Sequence, residues 1–133
     1  MQWKREDGAI AVEFALLLPM LVTLVGGIIE FGFALYFQEV ITNASREAAR
    51  AGIIIGTPRP TAGEIESVAL TYLTNLGVSC TTSCISVSGA QGSSGSDLTV
   101  TVSLPYRFVI LPGFLDSMVG EITLGAMTTM KHE

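Results

Sequence analysis

The sequence predicts an α+β chain: a long apolar N-terminal helix, then a small domain in which one helix packs on an antiparallel sheet of about three strands. Three observations carry this. Residues 8–37 are apolar almost throughout, with only Glu13 and Glu30 charged. Thr61 and Glu64 have the spacing of a capping box and open an amphipathic run. From Leu98 onward, apolar and polar residues alternate over a long stretch. The expected layout is a short leader at 1–8, a transmembrane and stalk helix at 9–55, and an outer α+β domain at 57–133.

Bulk properties limit the rest. The chain has 133 residues, 49% of them hydrophobic, and a mean hydropathy of +0.55. Once the apolar helix is set aside, the remainder suffices for one small domain. The net charge is −5 and no run of lysine or arginine occurs, which argues against a nucleic-acid partner. No internal repeat is visible.

At about 1.5 Å per residue, residues 9–29 span roughly 30 Å of helix, the thickness of a bilayer's hydrocarbon core. Lys4 and Arg5 before it suit a cytoplasmic start, although Arg46, Arg50 and Arg59 beyond it weaken the bias. Glu30 falls one membrane thickness on, where an interfacial carboxylate costs little. Glu13 lies inside the apolar run, where a charge deep in lipid costs about 2.5–3.5 kcal/mol and so asks for a partner. Cleavage after Gly8 would create one: an α-amino group on Ala9, one turn from Glu13 and Phe14, available within a chain or between neighbours. A glycine, four residues, then Glu-Phe is the logic of a class III, prepilin-type signal. An ordinary secretory signal fits less well, because no small-x-small site follows a short apolar core. The competing reading is an uncleaved single-pass anchor whose Glu13 sits at the interface, favoured by the helix N-terminal dipole.

The stretch GAIAVEFALLLPMLVTLVGGIIEFG, followed by Ala34-Leu35-Tyr36 and then Ile41-Thr42-Asn43-Ala44-Ser45-Arg46-Glu47-Ala48-Ala49-Arg50, resembles the TadE-like family. These are minor pseudopilins of the tight-adherence (Tad/Flp) type IV pilus system, bitopic in the bacterial inner membrane. The pattern Ala-Val-Glu-Phe-Ala, an apolar run with a proline, Glu-Phe-Gly and Asn-Ala-x-Arg-x-Ala-Ala-Arg is matched nearly in order. The chain departs from it at Phe33, where many relatives carry a basic residue. The resemblance implies a pilin-like fold, processing by prepilin peptidase between Gly8 and Ala9, and a role for Glu13 in assembly. It also implies cooperation with a second, TadF-like minor pseudopilin, the major Flp pilin, inner-membrane platform proteins and the lipid bilayer, with the outer domain extracytoplasmic and a link to cell adhesion.

Within the helix, Pro19 removes a backbone donor and predicts a kink. Gly26 and Gly27 serve close packing or extraction from lipid, or are simply lipid-facing. Residues 38–53 continue the helix into water, with Ile41, Ala44, Ala48, Ala51 and Ile55 at helical spacing. Arg46, Glu47 and Arg50 lie on other faces. With Glu30, the two arginines are candidate partner contacts, the alternative being a solvated face with i,i+3 or i,i+4 support. Gly56-Thr57-Pro58-Arg59-Pro60 breaks the helix. In the next helix Ile65, Val68, Ala69, Tyr72, Leu73 and Leu76 form the core stripe, and Gly77 ends it.

Cys80 and Cys84, with three residues between them in a turn, can close a small disulfide in an oxidising compartment, which would help so small a core. A metal site needs further ligands, and the single histidine, His132, is far along the chain. Residues 85–88 read as a short strand and 89–96, GAQGSSGS, as a mobile loop. In the long alternation Leu98, Val100, Val102, Leu104, Tyr106, Phe108 and Ile110 fall on one side, with Pro105 suggesting an edge position or bulge. Pro112-Gly113-Phe114-Leu115-Asp116 is a turn whose hydrophobics fold back on the core or present a patch. Residues 121–130 give the last strand. His132 falls in a tail expected to be solvated. No nucleophile–base pair, phosphate loop or acidic cluster is visible, so the expected role is not enzymatic and needs no cofactor or metal.

Overall fold

The computed structural model describes residues 3–80, 82–110, 117–118 and 120–133. The chain is α+β: helix α1 (Trp3–Gly52), helix α2 (Ala62–Asn75), then strands β1 (Ile85–Ser88), β2 (Asp97–Tyr106) and β3 (Ile122–Lys131). Two compact units form, one from Met1–Phe33 with Phe108–Gly120 and the other from Ala34–Arg107 with Glu121–Glu133.

In the second unit, the strands make one antiparallel sheet in the order β1-β2-β3. The register places Leu98 opposite Met130, Val102 opposite Ala126 and Leu104 opposite Leu124, so period-two alternation gathers these apolar residues of β2 and β3 on one face. Against that face pack Val40, Ile41, Ala44, Ala48 and Ala49 of α1 and Ile65, Ala69 and Leu73 of α2. Burial of a Leu or Val side chain of this kind stabilises by about 1.5–3 kcal/mol. Small residues on α1 let the helix approach closely. A Cβ on Gly52 would stand 2.5 Å from Leu98 Cδ2 and 2.7 Å from Ile65 Cδ1, too near for either buried side chain. Polar bonds fix α1 along β3: Gln38 Nε2 donates to the Gly125 carbonyl at 2.9 Å, and the buried Ser45 hydroxyl pairs with that of Thr128 at 2.7 Å. The burial stripe on α1 follows the expected spacing as far as Ala48 and then shifts. Ala49 and Gly52 are buried, while Ile55 lies past the helix end and is exposed.

Helix α2 begins and ends as its sequence directs. Thr61 caps it, with the reciprocal bonds of a capping box to Glu64. At the other end the Gly77 amide donates to the Thr74 carbonyl and the Val78 amide to the Leu73 carbonyl, at 3.0 and 2.9 Å. This closing motif needs the positive φ of 75° at Gly77. Leu76, expected in the stripe, is exposed at the cap.

Strand β2 departs from expectation at its end. Its alternation ends at Tyr106, and Phe108 and Ile110 belong to the other unit. Pro105 lies in the middle strand of the sheet but at a local edge of it. It is tolerated because β1 is only four residues long and pairs no further than Val102, leaving β2 with β3 alone beyond that point. Cys80 and Cys84 form the disulfide, with Cα atoms 6.2 Å apart. Closing so short a loop contributes about 2 kcal/mol in the chain-entropy account.

Two further expectations are corrected. His132 is 2% exposed rather than solvated, and residues 89–96 are hydrogen-bonded rather than free. The His132 amide donates to the Ser96 carbonyl at 2.9 Å, and its own carbonyl accepts from the Gly95 amide at 2.8 Å. Its Nε2, 2.9 Å from the Gly89 carbonyl, must carry the proton, since a carbonyl only accepts. Gln91 Nε2 donates to the Arg59 carbonyl at 3.1 Å. Gly89, with φ 83°, passes so close to the Asp97 carbonyl that no Cβ fits there. The 112–116 turn lies outside the described residues.

Candidate functional site

The residues singled out from the sequence divide between the two units. Gly8, Ala9, Glu13, Phe14 and Pro19 all fall on α1 in the first unit, and all are exposed. The side chains around them are apolar and equally exposed: in the most apolar window of Gly8–Gly52 the mean hydropathy is 2.2 and 6% of the window is buried. The segment is long and apolar enough to cross a membrane. Glu13 lies five residues after Gly8, on the turn that follows Ala9. Pro19 is accommodated within the helix, and the Thr23 hydroxyl donates to its carbonyl at 2.8 Å. Gly26 is buried and Gly27 half-buried.

Glu30 stands apart from its neighbours on the helix. It is 3% exposed, and both carboxylate oxygens accept from backbone amides, Oε1 from Val109 at 2.8 Å and Oε2 from Ile110 at 2.6 Å. Two consecutive amides on one carboxylate form a charge-assisted clamp. Proposed from sequence as a candidate partner contact, Glu30 thus bonds to its own chain, to the residues that leave β2.

Arg46 and Arg50 occupy the stalk part of α1 in the second unit, exposed together with Glu47. Among the described residues neither guanidinium makes an ion pair or hydrogen bond, and the expected i,i+3 support between Glu47 and Arg50 does not form. What this face has instead is the Asn43 amide donating to Glu39 at 3.0 Å. The Cys80–Cys84 disulfide lies beside a shallow depression of about 640 Å³ lined by Gly77, Ser79, Ser103, Leu104 and Pro105. At the other end of α2, the Glu64 carboxyl is held below its usual value by the Thr61 backbone amide and then by the Thr61 hydroxyl. Among the described residues no group of histidine, cysteine or carboxylate side chains could hold a metal ion.

Two arrangements escaped sequence reasoning. For His132 a signal existed: it continues the even-numbered inward face of β3 beyond Met130. For the Glu30 clamp none did, because its partners are backbone amides 79 and 80 residues away.

Compared with known proteins, the chain as a whole matches no curated protein and no solved structure. Residues 8–50 do match a known family. The match begins at Gly8 and ends at Arg50, taking in the apolar helix, Glu13, Glu30 and the stalk arginines: over this segment the chain is similar to the family described as TadE-like protein.

Proposed function

We propose that the chain is a minor pseudopilin of the Tad/Flp pilus, anchored by α1 in the bacterial inner membrane with the α+β domain on the extracytoplasmic side. Prepilin peptidase would cut between Gly8 and Ala9. The freed Ala9 amine would then pair with Glu13 of its own or a neighbouring subunit, where lipid leaves that charge little else to bind. The role is assembly or priming of the filament through helix packing, not catalysis. Its partners are a TadF-like pseudopilin, the major Flp pilin, platform proteins and the bilayer, with Arg46 and Arg50 available for contact. The observation that carries this reading is the position of Gly8 and Glu13 at the head of the matched segment, residues 8–50.

One observation favours the runner-up, an uncleaved membrane-anchored scaffold of the same machinery. Helix α1 starts at Trp3 and runs unbroken through Gly8 and Ala9, whereas peptidases act on backbone they can reach in extended form. Intact mass and N-terminal sequencing of protein purified from its own cell membranes separate the two. A chain starting at Ala9 supports processing and the pseudopilin; a chain still starting at Met1 overturns processing and leaves the scaffold.

A further inference from the structure

The connection between β2 and β3 is long for two strands paired as closely as Tyr106 with Ile122, and apolar in sequence: RFVILPGFLDSMVGE over 107–121. A hairpin needs only two to five residues. Most of this connection, Phe108–Gly120, belongs to the compact unit of the apolar helix, not to that of the sheet it links. Within it Val109, Ile110 and Met118 are exposed.

Glu30 sets the depth of this connection. It lies about 30 Å of helix beyond Ala9, at the far limit of the hydrocarbon layer. A carboxylate there needs donors, because water is scarce. Non-helical backbone at that depth needs acceptors for the same reason, and is tolerated only where protein supplies them. The clamp satisfies both needs at once, with the amides of Val109 and Ile110 on the two oxygens of Glu30. Near the clamp in sequence, Ile29, Phe31 and Phe33 on the helix are exposed, as are Val109 and Ile110.

We propose that the β2–β3 connection is a second membrane contact: Val109, Ile110 and Met118 enter the lipid boundary beside α1, and Glu30 holds them there through two backbone amides. The occupant of this surface is the bilayer itself, on the side opposite the leader. The inference rests on α1 crossing the membrane, and the test separates the two claims.

The full chain, carrying a single added cysteine labelled with an environment-sensitive fluorophore, is reconstituted at low protein-to-lipid ratio in phosphatidylcholine–phosphatidylglycerol vesicles. The label is placed at Ile110→Cys, at Leu16→Cys within the span, or at Met127→Cys on the exposed strand β3. Lipids brominated near the headgroup end or near the chain end of the acyl tail then report depth. At Ile110→Cys, shallow bromines should quench at least about twofold more than deep ones, as for groups buried ~5–10 Å into the interface. Met127→Cys should stay unquenched. Adding Glu30→Ala should bring the Ile110 label down toward the Met127 level. Quenching at Leu16 without any at Ile110 overturns the proposal while leaving the span intact; no quenching at Leu16 overturns the span as well. Quenching at Ile110 that survives Glu30→Ala overturns the role given to the clamp.

Discussion

The two units of this chain use the same side chains in opposite ways. In the unit built on Met1–Phe33, leucine, valine and isoleucine point outward, Leu16 at 74% exposed. In the unit holding the sheet, Leu73, Leu98 and Val100 are fully buried. Polar groups do not follow that inversion. Glu30 in one unit, and Ser45 and His132 in the other, are each buried and each bonded, to backbone or to a hydroxyl. Apolar surface can face lipid or core with equal ease, whereas a buried polar atom needs a partner in either solvent. Apolarity therefore tells where the chain meets its solvent, and the few bonded polar groups tell how each unit is held.

The contrast breaks most visibly if Glu13 is simply one more lipid-facing position. Glu13→Ala should abolish or sharply reduce piliation, counted on sheared filaments by electron microscopy, while the protein still fractionates with membranes. Normal piliation would end the role assigned to that charge. A second comparison sets Leu98→Ala against Leu16→Ala in detergent-solubilised protein. The first should destabilise the sheet unit by about 2–5 kcal/mol, the second by well under 1 kcal/mol, because only Leu98 leaves a cavity. Equal shifts in thermal unfolding would mean that α1 is covered after all.

The smallest effect concerns the start of α2. Thr61→Ala should cost about 1 kcal/mol through loss of the cap. The partner in that box, Glu64, is held below its ordinary value of about 4.5, so its stabilising contribution is present above that value and is lost as the pH falls through the lower folded one. An acid titration of unfolding should therefore lose a small increment in the wild-type chain that Glu64→Gln lacks. Identical titrations would show that the box adds nothing measurable.

What the sequence disclosed follows from the range of each interaction. The capping box at Thr61 and Glu64, the glycine that ends α2, the alternation of β2 and the four-residue strand at Ile85–Ser88 are all local patterns, and all appear where the residues put them. The end of β2 at Tyr106 was hidden because Phe108 and Ile110 keep the alternation going while serving the other unit. The bonding of residues 89–96 was hidden because its donors and acceptors, Arg59 and His132, are remote in sequence, and a stretch of glycine and serine looks free until something ties it. The Glu13 site stands differently: its spacing from Gly8 is plain in the sequence, but the amine it would pair with exists only after cleavage.

The brevity of β1 has a consequence for how the domain behaves at high concentration. Past Val102, one side of β2 is a ledge without a strand, bordered by the depression near the disulfide. Such a ledge invites a passing extended chain to add itself to the sheet, which is how folded domains seed aggregates. Here the ledge runs only from Ser103 to Tyr106, and Pro105 offers no amide to a guest. An intruding strand would find too few bonds to stay. Replacing that proline would leave the fold's own ladder to β3 in place and open the ledge to strangers.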